Sequence, residues 1–177
     1  MMQHSKTLDM TPIGMIFNIV KTGVETNGRS LEMEWTLFPK SSGTPIHVHP
    51  MASERYSVIE GQLEIYFDGQ WKLLSEGEEF TVPEGAEHTF RNPLDKITKV
   101  YNVHAPAMHF DEYFEGLTRI VDKGNKGADG KLKMNMHTMT KISMLMKKYK
   151  KEIRFSNPPP FLVSILNGIG KLRGMKI

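Results

Sequence analysis

The sequence predicts a mainly β chain that ends in a helical extension, and three observations predict it. Apolar and polar residues alternate with period two through much of residues 31–67, the signature of half-buried strands. Turn-forming pairs, among them Asn27-Gly28, Glu60-Gly61, Asp68-Gly69 and Asn92-Pro93, separate the runs, as short connections between strands require. After Pro106 the apolar residues recur at helical spacing instead. We therefore divide the chain into a β unit, 1–106, and a helical extension, 107–177, packed on that unit or on a partner subunit. With 177 residues the chain can bury one sizeable core, which suits a single domain with an appendage.

Each element follows in order. Ile13 to Val20 is an apolar run, and Asn27-Gly28 turns the chain into a strand where Leu31, Met33, Trp35 and Leu37 alternate with Glu32, Glu34, Thr36 and Phe38. His47-Val48-His49 comes next. Side chains two apart on a strand project to the same side about 6.5 Å apart, so His47 and His49 aim at one point while Val48 faces away. Pro50 interrupts pairing, and Met51-Ala52-Ser53 gives the chain room to turn. Alternation resumes with Glu54, Tyr56 and Val58 against Arg55, Ser57 and Ile59, and again with Leu63, Ile65 and Phe67 against Gln62, Glu64 and Tyr66. Asp68-Gly69 takes the positive φ of a tight hairpin, with Trp71 to Leu74 as the return strand. Gly77 to Gly85 holds a short strand, and its closing Pro83-Glu84-Gly85 turn delivers His88. His88 and Phe90 share a face, so an aromatic ring lines the wall beside that histidine. Ile97 to Val103 is a further strand whose mixed alternation leaves its inward face open.

In the extension, Phe110, Tyr113, Phe114, Leu117, Ile120 and Val121 mark a first helix, stopped by the Gly-rich segment Lys123 to Gly130. A second spans about Asn135 to Tyr149, with Met136, Met139, Ile142, Leu145, Met146 and Tyr149 on one stripe; the methionines between Met134 and Met146 suit adaptable packing or a loose binding wall. Pro158-Pro159-Pro160 precedes a third, Phe161 to Leu172, with Leu162, Ile165, Leu166, Ile169 and Leu172 as its stripe.

The chemistry sits in the β unit. His47, His49, Glu54 and His88 form a mixed nitrogen and oxygen set suited to one first-row divalent ion at about 2.0–2.2 Å, without selecting among iron, manganese, nickel, cobalt and zinc. Four protein ligands on an octahedral ion leave two positions for water, dioxygen or a chelating substrate. Trp35, Tyr56 and Phe90 are candidates for the substrate pocket, although Tyr56 serves equally well as a barrel-filling aromatic. Gly61, Gly77, Pro83, Gly85 and Asn92 serve turns and strand ends. His4, His104, His109 and His137 read as hydrogen-bonded core or surface residues.

These residues resemble the two motifs of the cupin superfamily. The first reads His47-x-His49, four residues, Glu54, six residues, Gly61; the second reads Gly77, five residues, Pro83, one residue, Gly85, two residues, His88, three residues, Asn92. One departure is Gly43, which stands only three residues before His47 where the upstream glycine lies further away, shortening an entry loop. The likeness covers roughly Ser30 to Val103 and is closest to small single-domain, quercetin-dioxygenase-like cupins. It implies an antiparallel β-barrel of the jelly-roll type with the metal inside its mouth, and a homodimer. It also implies a choice between a dioxygenase-like oxidoreductase acting on a small oxygen-rich substrate, with Glu54 as ligand and proton acceptor, and a non-catalytic small-molecule-binding protein with a structural or sensing metal.

Composition sets outer limits. With no cysteine, disulfides, thiolate ligands and a cysteine nucleophile are excluded. Thr11 to Val20 is broken by Pro12, Gly14 and Asn18, so no secretory signal is expected and the default compartment is the cytoplasm. Through Val103 there are 9 basic against 14 acidic residues, and from His104 onward 14 against 6. A basic tail on an acidic barrel docks on its own barrel, on a partner subunit or on an anionic surface; packing is the plainest of the three. Lys147, Lys148, Lys150 and Lys151 lack the aromatic interleaving of a nucleic-acid site, and an interfacial membrane helix at Phe161 to Lys176 is equally disfavoured.

Overall fold

The computed structural model describes residues 6–177; His4 lies outside them. Strands Lys6–Met10 (β1), Met15–Lys21 (β2), Leu31–Leu37 (β3), His47–Val48 (β4), Ser53–Glu60 (β5), Gln62–Phe67 (β6), Gln70–Ser75 (β7), Glu79–Val82 (β8), His88–Arg91 (β9) and Thr98–Ala105 (β10) are followed by helices Phe110–Lys123 (α1) and Met136–Lys148 (α2). A two-residue strand, Arg154–Phe155 (β11), and helix Pro160–Leu172 (α3) complete the chain. Two antiparallel sheets result, one ordered β1-β2-β3-β10-β5-β8 and the other β11-β4-β9-β6-β7. They face each other as the rolled sheets of a jelly roll do.

The period-two alternation decides what lies between them. Leu31, Met33, Trp35 and Leu37 are buried on β3, Tyr56 and Val58 on β5, Leu63 and Ile65 on β6, and Phe90 on β9. Trp35 stacks on Phe17 at 4.4 Å and meets Phe90 at 5.0 Å and Tyr56 at 5.8 Å, so the aromatics tie the two sheets together. Gly43, at φ 66°, lies so close to the Phe90 carbonyl that an added Cβ would overlap it; any other residue there would push the loop off β9. The mixed strand β10 resolves with Thr98, Val100, Asn102 and His104 inward, all buried.

Several expectations change. The apolar run beginning at Ile13 starts as a 3-10 turn, Thr11–Ile13, because Pro12 and the left-handed Gly14 end regular pairing there; β1 precedes it and pairs with β2. The strand at the histidine pair stops at Val48, leaving His49 just beyond its end beside Pro50. On α2 the buried face is Thr138, Thr140, Ser143, Met144, Leu145 and Met146, while Met136 is exposed. On α3 it is Val163, Leu166 and Gly170, with Ile165 and Leu172 exposed. Leu145, Met146, Tyr149 and Leu166 of the expected stripes are buried, and close approach adds small residues to the contact: Gly170 sits against Met144 and Thr140, where a Cβ would collide. Asn135 caps α2 by accepting the Thr138 amide. No helix among the described residues is long and apolar enough to cross a membrane.

Candidate metal centre

Two strand registers build the site. Antiparallel pairing sets His47 opposite His88 and, in the facing sheet, Glu54 opposite His104. Beyond β4, Pro50 bends the chain while His49 keeps its ring beside the other two: ring centroids lie 4.9 Å from His47 and 5.1 Å from His88. One donor atom from each of His47, His49, Glu54 and His88 falls within a cluster no wider than 4.8 Å. All four side chains are buried, none more than 3% exposed.

Hydrogen bonds settle which imidazole nitrogen faces inward. His47 Nδ1 lies 2.9 Å from the Pro45 carbonyl, His49 Nδ1 2.8 Å from the Glu152 carbonyl, and His88 Nδ1 2.9 Å from the Ala86 carbonyl. A carbonyl only accepts, so each Nδ1 carries a proton, and a neutral ring then turns its Nε2 lone pair inward. Yet Glu54 Oε2 lies 2.9 Å from His49 Nε2 and 2.8 Å from His88 Nε2. Acceptors this close repel unless a positive charge, a proton or a metal ion, stands among them. Backbone-anchored imidazoles around a carboxylate are also the outer-shell pattern of metal-binding histidines. The donor set thus fits a divalent ion.

Burial and neighbouring charge shift the same groups. Burial, then the neighbouring His88 and His49, pushes His47 well below its ordinary pKa, so it stays a neutral lone-pair donor. Burial would raise Glu54, but the neighbouring His104, His49 and His88 outweigh it and hold the carboxyl well below its usual range. For His88 the adjacent Glu54 carboxylate overcomes burial and raises the pKa. Burial brings His104 down to about 3.

Two residues escaped the sequence reading. Asn102 Nδ2 donates to Glu54 Oε1 at 2.9 Å, and His104 Nε2 lies 3.4 Å from the same oxygen. Asn102 therefore fixes one carboxylate oxygen while the other faces the histidines. His104 is a core residue, and among the described residues its Nδ1 has no partner; neither do Asn102 Oδ1 or Trp35 Nε1. Such buried polar atoms are costly unless a small polar guest joins them. His109 is exposed and 3.1 Å from Glu112, and His137 is exposed.

The extension closes this region. Phe110 of α1 lies 5.0 Å from the His49 ring and 4.3 Å from His104, and Phe155 of β11 lies 5.6 Å from His47. Only about 20 Å³ of free space remains, walled in part by Trp35, Phe90, Phe114 and Ile153, room for about one water. Tyr56 is fully buried behind Trp35 and Phe90, outside that wall. Gly61, Gly77 and Gly85 adopt positive φ, and Asn92 bonds three backbone carbonyls, those of Leu37, Phe38 and Lys96.

Comparison with known proteins places this arrangement. Residues 33–104 match the family model of the cupin domain. Over 72 residues the chain is 35% identical to quercetin 2,3-dioxygenase of Bacillus subtilis (strain 168), covering 38% of this chain and 21% of that protein. It is 36% identical over 59 residues to an uncharacterized protein of Aquifex aeolicus (strain VF5), covering 33% and 48%. The chain thus spans about a fifth and about half of these two relatives. Among solved structures it is similar to KdgF from Halomonas sp., with TM-score 0.51, 21% identity and coverage of 60% of this chain and 90% of that one. A further similar structure is an RmlC-like cupin from Shewanella frigidimarina, with TM-score 0.52, 19% identity and coverage of 63% and 92%. At these identities the structural likeness speaks for the fold alone.

Proposed function

Since the chain belongs to the cupin superfamily, we propose that His47, His49, Glu54 and His88 hold one divalent transition-metal ion, in a dioxygenase-like oxidoreductase of small oxygen-rich substrates. The observation that carries this is the approach of His49 and His88 Nε2, lone pairs inward, to one oxygen of a buried carboxylate, an arrangement a cation relieves. Residues 1–106 are the unit that binds, and 107–177 the extension that covers its mouth. When bound, the ion supplies Lewis-acid polarisation of a chelating oxygen pair and, as a redox metal, a route for electrons. The protein orients and excludes water: backbone carbonyls lock the imidazoles, Asn102 steadies Glu54, and Phe110 and Phe155 shield the rings. Glu54 is also the group placed to accept a proton from the substrate. The name of the Bacillus relative supports quercetin as the first substrate to try. Protein reconstituted with iron, manganese or nickel should consume oxygen with quercetin and lose that activity in His49→Ala. No uptake by any of the three forms counts against the enzyme.

A second reading is a non-catalytic small-molecule-binding cupin in which the metal is structural or senses occupancy; the small volume beside the four side chains favours its structural metal over a substrate-bearing one. There a ligand raises thermal stability and mass spectrometry of the mixture finds no product.

A further inference from the structure

Outside the candidate metal centre, a cleft of about 210 Å³ lies between α2, β11 and α3. Its apolar floor is built from Ile153, Phe155 and Val163, and its rim carries Lys147, Lys150 and Arg154. None of the lining residues is acidic, and the sequence has no acidic residue after Glu152. Among the described residues none of the three cations has a carboxylate within ion-pair distance: Lys147 donates to Ser164 Oγ at 3.1 Å, and Arg154 Nε donates to the Lys150 carbonyl at 2.9 Å. That bond holds the Arg154 guanidinium at the cleft and leaves its two terminal amino groups to grip an anion. Cations gathered over an apolar floor repel one another and expose hydrocarbon; an anion with an apolar body removes both costs.

We propose that this cleft is a binding site for a short organic anion with an apolar body, of which a medium-chain carboxylate is the simplest representative. The volume lies below the roughly 300–1,000 Å³ of drug-sized ligand sites, so the ligand is small. Charge complementarity chooses the head group and the floor chooses the tail. The cleft shares a wall with the candidate metal centre: Ile153 lines both spaces, the Phe155 ring stands 5.6 Å from that of His47, and the Glu152 carbonyl anchors His49. A ligand seated on Ile153 and Phe155 therefore presses on the segment that orients two histidines.

Calorimetric titration with octanoate, with 1-octanol as the uncharged counterpart, tests the site. Octanoate should bind one site per chain, at least about tenfold more tightly than 1-octanol, and added salt should weaken it. The Lys150→Gln/Arg154→Gln double variant should lose at least about tenfold, and Lys131→Gln, away from the cleft, should stay within about twofold of wild type. Equal affinity for acid and alcohol, an equal loss in Lys131→Gln, or no saturable binding would overturn the assignment. Titration of chelator-treated protein separates this inference from the metal reading, because the cleft contains none of the four candidate ligands: octanoate binding persists there even if no metal is ever found.

Discussion

Asn102→Ala is the most discriminating substitution near the candidate centre, because it removes support without removing a ligand. Asn102 Nδ2 donates to Glu54 Oε1 at 2.9 Å, inside a site where Glu54 is 1% exposed. Without that donor, Oε1 keeps the 3.4 Å approach of His104 Nε2, and the carboxylate is less firmly held toward His49 and His88. Loss of such outer-shell support typically weakens metal affinity by about 10–100-fold, or about 1.4–2.7 kcal/mol. Competition against a chromophoric chelator, with each divalent metal in turn, measures the change. An affinity within about twofold of wild type would refute the claim that Asn102 positions Glu54 for a cation.

Other substitutions separate site from scaffold. Asn92→Ala removes the donor to the carbonyls of Leu37, Phe38 and Lys96 and the acceptor of the Leu94 amide, while the Thr98 hydroxyl keeps Gln62; denaturation should show a loss of about 2 kcal/mol or more, with metal affinity unchanged. Gly43→Ala forces a left-handed alanine into the Phe90 carbonyl, and urea melts should register a loss above about 2 kcal/mol. Trp35→Ala empties the aromatic contact between the sheets at about 3–5 kcal/mol, lowering the melting temperature by roughly 6–20 °C. Phe155→Ala thins the wall over His47, so stopped-flow stripping of metal by a chelator should speed up about tenfold; an unchanged rate would mean that the extension does not guard the centre.

The four converging side chains were legible because their signals are local. Period two fixes the relation of His47 to His49 and the inward face that Glu54 shares with Tyr56, while Pro83 and Gly85 mark the turn before His88. Asn102 and His104 were missed because an inward strand that supports a polar site breaks the apolar alternation by which inward faces are recognised; reading Thr98, Val100, Asn102 and His104 as one face would have found them. β11 carries no periodic signal, since it is two residues long and pairs with β4 across more than a hundred positions. The small residues that α2 and α3 add to their contact were hidden for a related reason. Their contact is set by Gly170 against Thr140 and Met144, a fit that exists only once both helices are in place.

Metal content bears most directly on the central claim. Protein purified with neither added metal nor chelator should carry about one equivalent of a divalent transition metal per chain by inductively coupled plasma mass spectrometry, and a His49→Ala/Glu54→Gln variant should carry almost none. A folded wild-type protein that holds no such metal, and takes up none when offered iron, manganese, nickel, cobalt or zinc, would contradict the account.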